Sequence, residues 1–149
     1  MSREKLLIGR NSMANTAYHV TICTYNREPV FSQFTNARIV ISELKNLHDT
    51  YSVSSLAWVV MPDHLHWLFA LNTSLTLSEV VKMLKGKTAR QLNVTMQRQG
   101  AIWQKGYYDH ALRQEEDIKH IARYIVANPL RKGLVERIED YPHWDAIWL

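Results

Sequence analysis

Residues 53–71 read VSSLAWVVMPDHLHWLFAL, two β-forming stretches with Pro62-Asp63 between them. A proline cannot donate to a sheet ladder, so one continuous central strand is excluded, and the segment must fold on itself as a hairpin with arms 53–61 and 64–71. Upstream, AYHVTICTY at 17–25 is a further strand by its β-branched and aromatic content, closed by the turn residues NREP. Between this strand and the hairpin, Phe34, Ala37, Val40, Ile41, Leu44 and Leu47 recur at spacings of three and four. That spacing predicts one inward helical face, with Ser32 or Thr35 as the cap.

Downstream, a second helix is expected from Thr76 to about Gln97, with Leu77, Val80, Val81, Leu84 and Leu92 inward, Thr76 or Ser78 capping it and Gly100 ending the region. WQKGYYDHALR, 103–113, reads as a short fourth strand. A third helix opens on Glu115, Glu116 and Asp117, acids that favour a helix N-terminus, and runs through Ile118, Ile121, Ala122 and Ile125 until Pro129 and Gly133 stop it. The order strand, helix, strand, strand, helix, strand, helix is the split βαβ pattern of an α+β, ferredoxin-like antiparallel sheet with an added C-terminal helix. The first and third strands should be central. Two helices should cover one face, and the third helix the other.

A chain of 149 residues and 17.4 kDa, 46% hydrophobic and 21% charged, fits a single domain over 1–149, too apolar for a disordered chain. Residues 1–15 are expected to form a loosely held arm, and 138–149 a C-terminal tail whose apolar WDAIWL folds back over the site or packs on a partner. The lone Cys23 forms no internal disulfide, and no apolar run reaches the ~20 residues of a membrane span, so the chain reads as cytoplasmic with no membrane partner. A net charge of +4 favours polyanionic partners.

Residues two apart on a strand share a face, so His64 and His66 leave the sheet together while Leu65 enters the core. Two imidazoles at that spacing can hold one divalent metal. His120, Tyr124 and Asn128 are four apart and form a polar stripe on the third helix, which packing would carry toward the two histidines. On that stripe Asn128 offers an oxygen ligand, Tyr124 a phenolic nucleophile, and His120 a base or hydrogen-bond partner for it. An unperturbed phenol has a pKa of about 10, so attack near neutrality calls for a nearby cation or base. Tyr107 and Tyr108 are rival nucleophiles that fall outside the helix. Candidate phosphate contacts are Lys82, Lys85, Lys87 and Arg90 on the second helix and Arg113, Arg123, Arg131 and Lys132 nearer the histidines. Trp67, Trp103 and Tyr107 are candidates both for stacking on unpaired bases and for the core.

YHVTICTYNREPVF, WVVMPDHLHWLF, IWQKGYYDHALR and YIVANPLRKGLV, in that order over about residues 18–137, resemble the single-tyrosine HUH transposases of insertion-sequence type, most closely the REP-associated branch. His64-Leu65-His66 fills the His-hydrophobic-His motif. The resemblance implies cleavage and rejoining of single-stranded DNA, a hairpin from an imperfect palindrome, through a 5′-phosphotyrosine on Tyr124. It also implies a divalent ion, Mg²⁺ or Mn²⁺, on His64, His66 and Asn128, where insertion-sequence members carry Gln at the last position. Either a monomer or a homodimer with a swapped tyrosine helix is compatible. A non-cleaving DNA- or RNA-binding regulator on the same fold, and a metal hydrolase activating water, are the alternatives.

Overall fold

The computed structural model describes residues 16–50, 52–72 and 74–147; the expected arm 1–15 lies outside them. Five strands form one antiparallel sheet: β1 (Ala17–Cys23), β2 (Val53–Met61), β3 (His64–Leu71), β4 (Tyr108–Leu112) and β5 (Trp144–Ala146). Their spatial order is β4-β1-β3-β2-β5, so β1 and β3 are central, as the pattern requires. Pro62 and Asp63 make the turn between β2 and β3, with Met61 facing His64 across the ladder.

Alternation sorts the strands onto two cores. Val20 and Ile22 of β1 and Leu65, Trp67 and Phe69 of β3 face one layer, where they meet α1 (Phe34–Asp49) and α2 (Leu77–Met96). Leu68 of β3 and Val59 and Met61 of β2 face the other, where α3 (Glu115–Val126) contributes Ile118, Ala122, Ile125 and Val126. A bulge between Ser55 and Ala57 shifts the phase of β2, so Val53 before it and Trp58 and Val60 after it serve the same layer. The placement of α3 on the face opposite α1 and α2 matches expectation.

The structure departs from the sequence reading at four points. α1 is capped by the backbone of Gln33 without a side-chain bond, so neither Ser32 nor Thr35 caps it. Phe34, expected inward, is 58% exposed, and its ring lies 5.2 Å from that of His143. α2 does start at a capping box, in which the Thr76 hydroxyl accepts from the Glu79 amide while the Glu79 carboxylate accepts from the Thr76 amide. The C-terminal segment forms β5 along the edge of β2, and the Tyr141 hydroxyl donates to the Val60 carbonyl. Trp148 and Leu149 lie outside the described residues.

The fourth departure bears on the site. The third helix stops at Val126 and a separate turn, α4 (Asn128–Arg131), begins after Ala127. Pro129 has no N–H to offer the carbonyl a turn earlier, so the helix breaks and restarts with the proline near its N-terminus. Along the stripe His120 and Tyr124 are exposed on α3, whereas Asn128, at the start of α4 and three residues after the buried Ile125, is 2% exposed.

Candidate active site

β3 delivers His64 and His66 on the α3 side of the sheet, their rings edge to face with centroids 4.9 Å apart. Asp63 holds the first: its Oδ1 lies 2.8 Å from His64 Nδ1. Burial alone would raise the Asp63 pKa, but hydrogen bonds from His64 and Arg27 outweigh it and hold the carboxyl below its usual range. An ionised carboxylate only accepts, so Nδ1 of His64 carries the proton and Nε2 keeps a lone pair. Arg27 reaches Asp63 Oδ2 at 3.0 Å from a turn in which Asn26 and Arg27 both take positive φ, 56° and 54°. Two successive non-glycine residues in the left-handed region store strain, which this turn concentrates beside the histidines.

Strand pairing supplies the environment of the second histidine. Thr21 stands opposite His66 across β1 and β3, and Thr21 Oγ1 and His19 Nε2 lie 3.1 and 3.0 Å from His66 Nδ1. Burial, reinforced by the fields of His64, His19, Arg131 and Lys132, lowers the His66 pKa to about 3. Burial and His110 bring His19 down to about 4, and burial is also the largest cause of the lowered His64 value. The imidazoles are therefore neutral at pH 7. Among the described residues, neither His64 Nε2 nor His66 Nε2 has a hydrogen-bond partner.

Tyr124 approaches from α3, 45% exposed, its ring edge-on to His66 at 6.3 Å between centroids. Arg131 lies over that ring with its guanidinium carbon 3.7 Å from the centroid, donating to the Tyr124 carbonyl at 2.9 Å and to Asn128 Oδ1 at 2.9 Å. Asn128 Nδ2 is buried and meets no acceptor among the described residues. Lys132 is close enough for its charge to act on both His64 and His66.

The other expected site residues are placed differently. His120 is exposed, one turn before Tyr124, with no hydrogen bond among the described residues to either the phenol or the histidines. Lys82, Lys85, Lys87 and Arg90 lie on α2, across the sheet from the imidazoles. Of these, Lys85 donates to the carbonyls of Gln104 and Gly106, and Lys87 pairs with Glu43 at 3.0 Å. Arg113 and Arg123 are exposed before and on α3. Trp67 and Trp103 are buried in the α1–α2 core, and Tyr107 packs at its edge and shares a hydrogen bond with Ser78, so these candidate base-stackers serve packing. Tyr108 is exposed on β4 opposite Thr21. His19, Thr21, Asp63 and Arg27 were not singled out from the sequence. The period-two spacing that picked out His64 and His66 also links His19 with Thr21, but its meaning depends on β1 pairing with β3.

No group of three His, Cys, Asp or Glu side chains is gathered to hold a metal among the described residues. A metal on this site would therefore draw on the imidazole pair and on donors other than these side-chain types. The two neutral rings, each bonded through Nδ1 and open at Nε2, have the donor chemistry such an ion requires.

Paired imidazoles on a central strand of a split βαβ sheet, faced by a single tyrosine on a helix packed against that strand, define the single-tyrosine HUH class. The chain belongs to the family described as "Transposase IS200 like", whose model matches residues 12–128. It is 30% identical over 91 residues to the REP-associated tyrosine transposase of Escherichia coli, covering 58% of this chain and 50% of the relative. It is 28% identical over 113 residues to a Haemophilus influenzae protein assigned to the same type, covering 68% of this chain and 64% of the relative. The chain thus spans half to two thirds of the length of these relatives. Among solved structures, it resembles a REP-associated tyrosine transposase bound to a REP hairpin, with TM-score 0.69, 25% identity, 87% of this chain and 76% of the other covered. No helix among the described residues is long and apolar enough to cross a membrane.

Proposed function

We propose that this chain cleaves and rejoins single-stranded DNA through a 5′-phosphotyrosine on Tyr124, acting as a monomer on a hairpin substrate. The observation that carries the reading is the placement of Tyr124 beside His66 under the guanidinium of Arg131. Support for the substrate comes from the family and from the solved relative that holds a REP hairpin.

In this reading the Tyr124 oxygen attacks the scissile phosphorus, forming a Tyr–O–P bond and breaking the P–O3′ bond. The phenol gives up its proton and the departing 3′ oxygen gains one. Arg131 and Lys132 place positive charge where the non-bridging oxygens gather more negative charge. A divalent ion, Mg²⁺ or Mn²⁺, held by His64, His66 and Asn128 would supply Lewis acidity at the scissile phosphate when bound. Asp63 and His19 hold the imidazoles through Nδ1. The phosphotyrosine keeps the energy of a phosphodiester, so a later 3′-hydroxyl can displace the tyrosine and join DNA without ATP. Arg113 and Arg123, exposed around α3, extend the positive surface along which a strand would lie.

Incubating the protein with labelled hairpin DNA and Mn²⁺, then denaturing it, tests the reading. We expect a covalent adduct that Tyr124→Phe lowers on the order of a thousandfold or more, as loss of a nucleophile does. Cleavage that persists in Tyr124→Phe without any adduct would instead identify a hydrolase that activates water. Binding with no cleavage would identify a non-catalytic DNA-binding protein.

A further inference from the structure

We propose that Arg131 is a latch on Asn128: it withholds the amide oxygen from a metal ion until a DNA phosphate draws the guanidinium away. This inference rests on the proposed reading of the site and adds an order of events to it.

Three observations meet at one side chain. Asn128 is buried, and its single oxygen accepts from Arg131 at 2.9 Å. Its nitrogen is buried without an acceptor among the described residues. Arg131 itself is exposed; among the described residues its side chain also meets the Tyr124 carbonyl and the face of the Tyr124 ring, and its charge acts on His66.

The chemistry of the two groups fixes what this arrangement permits. A guanidinium has donors only, so while Arg131 is in place the amide must turn its oxygen to the arginine and cannot exchange O for N by rotating. The NH₂ group left over is a donor and cannot ligate a cation. An ion sharing the oxygen with Arg131 would sit beside a fixed positive charge. The imidazole pair alone is then a weak, two-ligand site.

A phosphate competes for Arg131 on better terms than an amide does. It carries full negative charge and accepts two parallel N–H bonds from a guanidinium, whereas the Asn128 oxygen accepts one. Arg131 can make that exchange because it is exposed and lies on the four-residue turn α4, outside α3. Withdrawal of Arg131 frees the Asn128 oxygen and uncovers the Tyr124 ring in a single movement. Substrate arrival, completion of the ligand set and release of the nucleophile are thus one event. By linkage, DNA and metal must tighten each other's binding by the same factor.

The test is Mn²⁺ affinity, read from the electron paramagnetic resonance of free Mn²⁺ during titration of metal-free protein with MnCl₂ in the absence of DNA. We expect Arg131→Met to bind Mn²⁺ at least threefold more tightly than the unaltered protein. Arg131→Lys keeps the charge but lacks the fork that joins Tyr124 to Asn128; it should also tighten binding, which separates the latch from simple repulsion and serves if the methionine variant does not fold. Lys132→Met, which removes an equal charge near the histidines without touching Asn128, should give the smaller gain. In an Asn128→Ala background the gain from Arg131→Met should vanish. In Tyr124→Phe protein, where no cleavage intervenes, a hairpin oligonucleotide should tighten Mn²⁺, and by a smaller factor once Arg131→Met is added. Unchanged or weaker Mn²⁺ binding in both Arg131 variants, or a gain that survives Asn128→Ala, overturns the latch even if the Tyr124 adduct forms. Loss of the adduct alone would overturn the catalytic reading and leave these binding results standing.

Discussion

His19 and His66 share a hydrogen bond in a setting that keeps both neutral, and the consequence reaches beyond the site. Their pKa values fall to about 4 and about 3 in the folded protein, against about 6.5 for an exposed histidine. A histidine with a lowered folded-state value binds its proton more readily when unfolded, so acid favours unfolding. Stability from these groups is fully present above about pH 6.5 and is lost progressively as pH falls toward 4, on the order of 1 kcal/mol per pH unit for each histidine. His64 and His143, both also lowered, act in the same direction. Urea unfolding of chelator-treated protein should show a constant midpoint from pH 8 to 7 and a falling one from 6.5 to 5. A midpoint that stays level over that lower range would contradict the buried, neutral cluster. The sequence made the His64–His66 pair legible because a strand's period needs no knowledge of its neighbours. Its partners were not: His19, Thr21 and Arg27 acquire their roles only through antiparallel register and an unusual turn, neither of which a local pattern contains.

Among the elements, α3 ties packing to chemistry most directly. Its buried residues Ile118, Ala122, Ile125 and Val126 hold it to β2 and β3, and this packing sets the distance from Tyr124 to His66. Ile118→Ala should cost about 2–5 kcal/mol in urea unfolding and lower adduct formation under conditions where the variant remains folded, since a relaxed α3 displaces the phenol. An unaltered adduct yield would mean that the end of α3 is positioned by α4 alone. The helical period of α1, α2 and α3 was legible in sequence because each buries one continuous stripe. Two features were not. Asn128 lies three residues after Ile125 as well as four after Tyr124, so the period alone does not decide whether it faces in or out, and in the structure it is buried. β5 has only three residues and exists because the edge of β2 pairs with it, so nothing local announces it.

On the scale of the whole molecule, the sheet separates a layer given over to packing from the layer that carries the candidate site. The α1–α2 side gathers the large aromatic residues Trp67, Phe69 and Trp103, whereas the α3 side holds the imidazoles and the tyrosine. The net charge of +4 hinted at a polyanionic partner but did not place it. In the structure, two of the four α2 cations considered as phosphate contacts have intramolecular partners, while Arg131 and Lys132 lie at the site. In the proposed reaction, Tyr124 and the imidazole pair of one copy act together, as their ring contact allows. Turnover should be first order in protein at every dilution, with no encounter between copies to wait for. Initial adduct rates per molecule, measured over a hundredfold range of protein at saturating hairpin, should coincide; a rate per molecule that falls on dilution would show that a second copy is required.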